Sequence, residues 1–247
     1  PLSSQGTLAK NAYLGFFFNE TFTEFDNATD AIKHFDLNYI GLDMNVERGG
    51  NNQKKFILKP KGSNYSSFEL RHASSGIQTT APLIAMMNYY AQAFDFKLAQ
   101  KRSIIDLLFE KNLTTQYRPE MELTDMPKYV HIHIEEPELS LDPTSQIQML
   151  NEIIRLAFYS KVDSREIGLV LATHSPYIIN SLNLLMKAHD CKTDIDGAHV
   201  GYDDLSVYQI LSGGVADLKV KNIHYVNTDR LSEDINNICL LYTSPSP

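Results

Sequence analysis

Apolar positions along the chain recur at two spacings, every three to four residues and every second residue, and the switches between them mark out elements. Ala81, Ile84, Ala85, Tyr89 and Ala93 fall on one side of a helix predicted over 77–96. Ile147, Leu150, Ile153, Ile154 and Ala157 form a second such face behind Asp142-Pro143. Aspartate is a good helix N-cap and proline sits well at the first helical position, so a helix starts there. A third face, Ile178, Ile179, Leu182 and Leu185, follows Ser175-Pro176 in the same way. Between these helices lie strand patterns: alternation over 129–134 and a near-continuous apolar run over 167–172, the kind expected of a fully buried strand.

The flanking regions read less sharply. Residues 1–35 carry an aromatic cluster (Tyr13, Phe16, Phe17, Phe18, Phe22, Phe25) and read as helix plus loop. Residues 36–70 read as β-structure, with strands over 37–42 and 55–58 and a turn at Gly49-Gly50-Asn51-Asn52. A short helix is predicted over 104–109, a polar loop over 112–128, and late strands near 206–211 and 223–226. The central order strand–helix–strand–helix predicts an α/β fold with parallel central strands. There is no internal repeat and no long linker.

Composition bounds the picture without changing it. The 247 residues suffice for one large domain or two small ones, and an apolar fraction of 43% permits a sizeable core. No apolar run reaches the roughly 18–20 residues that cross a bilayer, so no membrane association is expected. Cys191 and Cys239 form no C-x-x-C and no disulfide framework, which points to a reducing, cytoplasmic setting. A net charge of −8 argues against a broad nucleic-acid surface. The start, Pro1-Leu2-Ser3-Ser4, is neither a methionine nor a signal peptide and reads as a cut end. Residues 239–247 resemble the translation of a transposase adapter used in library preparation, or else a Ser/Pro-rich end. The domain reading is therefore one partial domain over 1–238, its N-terminal part missing, and an extraneous tail over 239–247.

Chemistry concentrates where the first of the two central strands ends, in Ile134-Glu135-Glu136-Pro137-Glu138-Leu139-Ser140-Leu141-Asp142-Pro143. Open α/β sheets place ligands at the carboxyl ends of their strands. Two adjacent carboxylates there are costly unless a cation is near, and Mg²⁺ held by carboxylates and phosphates supplies one. The plainer reading is a pair of surface acids. His174, in Thr173-His174-Ser175-Pro176, ends the next strand, where it could reach a terminal phosphate or simply serve as a capping histidine. Ser74-Ser75-Gly76 opens a helix, with Gln78 close behind. Backbone N–H groups at such an end attract anions, and Gly76 would allow close approach; an N-cap without ligand is the alternative. His131 and His133 lie on one strand face and could be metal ligands, but the reading preferred is that they hydrogen-bond to neighbouring elements.

Together, Ser74-Ser75-Gly76, Glu135-Glu136-Pro137-Glu138 with Leu139-Ser140-Leu141-Asp142-Pro143, and Thr173-His174-Ser175-Pro176 resemble the signature motif, Walker B motif with D-loop, and switch histidine of ABC-type ATPase heads. The style is closest to the AAA/ABC-like ATPases of the OLD, RecF and SMC kind, and the resemblance spans about residues 65–238. It implies a P-loop NTPase sheet with flanking helices, with ATP and Mg²⁺ as cofactors. It implies that Glu135 holds the metal shell, Glu136 polarises the attacking water and His174 contacts the γ-phosphate. Ser74, Ser75, Gly76 and Gln78 would meet the ATP of a second subunit, and Asp142 would belong to the loop that communicates across a homodimer sandwiching two ATPs. A role in DNA maintenance or phage defence, with a DNA, nuclease or effector partner, comes from the resemblance alone.

Departures are plain. Position 77 is isoleucine where many signature motifs carry Gln or Glu, and the gap from Gly76 to Glu135 is longer than in transporter heads. No glycine in the chain is followed by lysine, so the phosphate-cradling G-x-x-x-x-G-K-[ST] loop is missing. It is expected upstream of Pro1. Two further readings stay open: a non-hydrolysing, ATP-gated binding subunit, and a metal-dependent hydrolase built on His131, His133 and the two glutamates. After Pro176 no clustered acids of a Toprim nuclease appear; Asp203-Asp204 is an isolated pair.

Overall fold

The computed structural model describes residues 13–50, 53–62, 64–111, 127–220 and 223–228. The expected tail over 239–247, the first twelve residues and nearly all of the predicted loop over 112–128 lie outside the described residues. No helix among the described residues is long and apolar enough to cross a membrane.

After helix α1 (Tyr13–Ala31) come β1 (His34–Leu37), β2 (Leu42–Arg48), β3 (Lys54–Pro60) and β4 (Phe68–Glu69), an antiparallel sheet in sequential order. The sequence predicts one strand over 37–42, and the structure breaks it. Leu37 ends β1, a 3₁₀ turn spans Asn38–Ile40, and Gly41 reverses the chain at φ 64° before β2 starts. Glycine takes that left-handed conformation without steric cost, and a reversal here lets β1 pair back on β2. The expected turn at Gly49 falls where it was placed, between β2 and β3, and is closed by the Gly49 amide donating to the Gln53 carbonyl at 3.0 Å. Phe35, Leu37, Met44 and Leu58 point inward and are fully buried.

Helix α2 (Ser75–Gln92) buries Gly76, Thr80, Ala81, Ile84, Ala85, Met87 and Ala91. Helix α3 (Phe96–Glu110) is longer than the predicted 104–109, because Asp95 caps it by accepting from the Leu98 amide at 2.9 Å. That cap lies outside the apolar pattern and so escaped it.

The central unit matches its expectation. Strand β5 (Tyr129–Glu135), helix α4 (Pro143–Ile154) with a π turn over Arg155–Tyr159, and β6 (Glu166–Ala172) form a strand–helix–strand unit with β5 and β6 parallel. The register runs from Tyr129 opposite Glu166 to Glu135 opposite Ala172. The expectation of a fully buried β6 is overturned: Ile167 is buried, but Val170 is 44% exposed. One face of the pair lies in the core through Ile134 and Ile167, while the other presents Tyr129, His131, His133, Glu135 and Val170. An apolar run thus reads the same whether one or both faces are covered.

Helix α4 is the most enclosed helix segment, buried from Met149 to Ile154, Asn151 and Glu152 included. Glu152 takes a two-pronged bond from Arg155 at 2.6 and 2.9 Å, which lets its charge stay in the interior. The C-terminal part comprises α5 (Pro176–Asp190), a hairpin of β7 (Tyr208–Leu211) and β8 (Gly214–Asp217), and a short pair of β9 (Lys219–Val220) and β10 (Tyr225–Val226). The predicted strands near 206–211 and 223–226 correspond to β7 and β10. The predicted parallel sheet is confined to β5 and β6 among the described residues; every other strand pair is antiparallel.

Candidate functional site at the carboxyl edge of the parallel pair

The β5 ladder continues one residue beyond the strand: the Glu136 amide donates to the Ala172 carbonyl at 2.8 Å. Glu136 then adopts φ 45° and Ser140 φ 61°. Left-handed backbone at non-glycine residues costs about 1–3 kcal/mol each and persists only where surroundings enforce it. Here the enforcement is a double turn, with the Leu139 amide donating to Glu136 and the Leu141 amide to Glu138, both at 3.0 Å, over a buried Pro137. The turn sends the chain back across the strand ends.

His174 meets the acids at this edge. Its Nε2 lies 3.5 Å from Glu136 Oε1, an ion pair when the imidazole is protonated. The His174 side chain is 89% exposed and that of Glu136 50%, so both are open to a ligand. Glu135 stays on the open face of the sheet and is also exposed.

Two helix starts frame the edge. Asp142 caps α4, accepting from the Thr144 and Ser145 amides at 3.0 and 3.2 Å and from the Ser145 hydroxyl at 2.5 Å. The Ser145 hydroxyl, then the Ser145 and Thr144 amides, hold the Asp142 carboxyl below its ordinary pKa. Ser175 caps α5 by accepting from the Ile178 amide at 3.4 Å, and its hydroxyl donates to Gln146 Oε1 at 2.5 Å. The Gln146 amide nitrogen in turn donates to the Leu141 carbonyl at 2.9 Å.

The Ser74–Gly76 segment joins this frame from the other side. Ser74 caps α2, accepting from the Ile77 amide at 3.5 Å, and Ser74 and Ser75 are exposed. Gly76 is buried, and a Cβ there would stand 2.5 Å from the Ser140 carbonyl oxygen and 2.9 Å from Leu141 Cδ2. Its lack of a side chain therefore serves the packing of α2 against the Ser140–Leu141 turn. That packing is a reason for glycine that stands beside the expected close approach to a phosphate. The Gln78 side chain donates to the Ala73 and Arg71 carbonyls at 2.8 and 3.3 Å and so ties down the turn before α2.

His131 and His133 depart from expectation. Neither bonds to a neighbouring element among the described residues; both are exposed, with ring centroids 4.5 Å apart. Among the described residues the only cluster of three potential metal ligands lies elsewhere, at His34, Asp36 and Asp43. Lys61 already supplies a cation there, 2.8 Å from Asp36 and 3.1 Å from Asp43.

Residue-by-residue reading of the sequence missed Glu138, Thr173 and Gln146. Glu138 Oε1 accepts from the Thr173 hydroxyl at 2.7 Å and from the His174 amide at 2.8 Å. The signal was present: Pro137 reverses the chain, and the next acid is carried back over the strand ends.

The sequence matches no protein-family model and no curated protein. Among solved structures the chain is similar to one from work on the structural biochemistry of ATP-driven dimerization and DNA-stimulated activation of SMC ATPases. That likeness has a TM-score of 0.39 at 9% identity and covers 94% of this chain and 98% of the other. At that level it carries no weight for fold or function.

Proposed function

We propose that this chain carries the water-activating and phosphate-sensing edge of an ABC-type ATPase head, using ATP and Mg²⁺. The observation that carries the reading is the meeting of Glu136 and His174, 3.5 Å apart, at the carboxyl ends of two adjacent parallel strands. In this reading Glu135 holds the Mg²⁺ shell from the open face, and Glu136 orients the attacking water. His174 donates toward the terminal phosphate. Such catalysis is positioning and charge stabilisation, with little covalent work for the protein.

The donor set fits the cofactor in part. Two exposed carboxylates beside an imidazole suit a hydrated Mg²⁺ and a phosphate oxygen. The sequence has no Gly-Lys pair to cradle the phosphates. The 247-residue chain by itself is therefore expected to bind ATP weakly and not to turn it over. Robust hydrolysis by the purified chain would overturn that expectation. Ser74, Ser75 and Asp142 are exposed at one frame with the acid edge, as a contact with a second subunit's nucleotide requires, so a homodimer closing on ATP is the assembly proposed. DNA maintenance or phage defence, with DNA, a nuclease or an effector as partner, follows from motif style alone.

The deciding experiment is Glu136→Gln in an ATP-hydrolysing protein that contains this chain. Loss of the water-orienting carboxylate should lower turnover by about 10²–10⁴-fold with ATP binding retained. Unchanged turnover would remove Glu136 from the reaction. A second reading, an ATP-gated subunit that does not hydrolyse, draws on the missing Gly-Lys pair. It predicts that the parent protein shows no turnover to lose and that Glu136→Gln leaves its biological activity intact.

A further inference from the structure

We infer that Glu138 is a positioning residue: its carboxylate fixes the Thr173–His174 backbone and thereby sets the His174 imidazole against Glu136. The inference rests on the reading of this edge as a nucleotide site for its purpose, but not for its geometry. The His174 side chain is 89% exposed, so packing does not hold it. Its place is set by its backbone, and that backbone is held from the facing loop. Glu138 Oε1 accepts two hydrogen bonds, from the Thr173 hydroxyl at 2.7 Å and the His174 amide at 2.8 Å. Bonds to an ionised acceptor are about twice as strong as neutral ones. The Thr173 hydroxyl is used in both directions, since its oxygen also accepts from the Ser175 amide at 2.9 Å. The side chain of Thr173 thus bridges the acid loop to the first turn of α5.

Simple structural glue would not require a charge. Glu138 Oε2 is shut off from solvent and has no hydrogen-bond partner among the described residues, a cost for any carboxylate. Glu135 and Glu136 already crowd the same edge with negative charge. Keeping a third carboxylate here is unfavourable unless its strong acceptor does something a neutral residue would do less well. What it does is hold His174, the imidazole that meets this edge, at the acid beside it. Gln146 clamps the same two loops from the α4 side, through the Leu141 carbonyl and the Ser175 hydroxyl, so Glu138 is left to fix the segment between them.

The test uses the isotope-labelled 247-residue chain and NMR. In the wild type, a scalar coupling across the hydrogen bond should connect the His174 amide nitrogen to the Glu138 carboxylate carbon. The His174 imidazole signals should also respond to Glu136→Gln. In Glu138→Gln the side-chain carbonyl can still accept, so a weaker coupling and most of that response should remain. Glu138→Ala has no carboxylate carbon to couple to, so the readout there is the His174 response, which should vanish, a signature that general destabilisation of a folded protein does not produce. Thr173→Val, which keeps the carboxylate and removes one donor, should weaken the response and serves if Glu138→Ala does not fold. An undiminished His174 response to Glu136→Gln in folded Glu138→Ala, or in Thr173→Val, overturns the inference. Adding Mg·ATP separates the two ideas. Loss of the response in Glu138→Ala, with no change at His174 on adding millimolar Mg·ATP, would leave the positioning role standing and count against the nucleotide reading.

Discussion

The antiparallel sheet β1–β4 and the parallel pair β5–β6 divide stability and chemistry between them. The first sends Phe35, Leu37, Met44 and Leu58 wholly into the core. It is also stitched to α1: Lys54, only 13% exposed, reaches Asp26 at 2.6 Å and Asp30 at 3.1 Å, and the Phe25 and Phe56 rings meet at 5.0 Å. The parallel pair has Ile134 and Ile167 buried on one face and leaves the other to solvent. Antiparallel sheets commonly have one wet face, whereas parallel sheets are normally covered on both. The open pair nevertheless ends in Glu135, Glu136 and the His174 loop. The lesson is that, of these two sheets, the one less enclosed by the fold carries the candidate site, while the other is anchored in the core.

That contrast is most exposed to failure in stability measurements. Leu58→Ala, removing a fully buried side chain from β3, should cost about 2–5 kcal/mol in urea unfolding. Val170→Ala on the bare face of β6 should stay within about 0.5 kcal/mol. A large loss at Val170 would mean that its face is covered in solution, and the contrast would collapse. A covering layer would also hide the His131–His133 pair.

The two glycines sharpen the same comparison at finer scale. Gly76→Ala drives a Cβ to 2.5 Å from a backbone carbonyl, and the Ser140 turn must move. Overpacking of that kind costs about 1–3 kcal/mol. Gly168→Ala on β6 meets chiefly the far end of the Tyr129 side chain, which is 52% exposed and can swing away. Its effect should be within about 0.5 kcal/mol. The informative result is the difference between the two. Equal losses would deny the contact of α2 with the acid loop.

How much of this was legible in sequence follows from the physics of each feature. Helices α2, α4 and α5 show in their periodic apolar faces, and α4 and α5 also in caps followed by proline. The parallel β5–α4–β6 unit follows from element order, and its carboxyl edge is where the pattern places chemistry. The break between β1 and β2 was not legible, because Leu37-Asn38-Tyr39-Ile40-Gly41-Leu42 alternates like a strand and only Gly41 betrays the reversal. The open face of β6 was equally hidden, since covering a strand is a property of its neighbours. Of the candidate residues, Glu136 and His174 meet at one edge. Glu138, Thr173 and Gln146 were missed because their roles lie in hydrogen bonds between loops about thirty residues apart, which no local pattern encodes. Gly76 was singled out for a ligand, while its nearest neighbour is the chain itself.

The smallest expected effect lies in the anchored sheet and concerns pH. The hydrogen bond from Lys61 holds the Asp36 carboxyl below its ordinary value of 3.8. The folded state therefore binds that proton less tightly than the unfolded chain. The resulting stability is complete above about pH 4 and fades as pH falls through the folded pKa. Lys61 works at the other limit. Burial pulls its pKa down, but the bonds to Asp36 and Asp43 outweigh this and raise it above 10.5. Its contribution is complete below that value and is lost as pH rises through the folded one. Asp36 is 56% exposed and Lys61 31%, so solvent screening limits the pair to about 0.2–1 kcal/mol. Lys61→Met should lower the neutral plateau by that amount and flatten both flanks, read from urea midpoints at several pH values. A loss confined to alkaline pH would show that Asp36 does not feel Lys61. The sheet would then owe its anchoring to Lys54, to Arg48, which reaches Asp30 at 2.7 Å, and to the apolar core, and the comparison with the parallel pair would rest on burial.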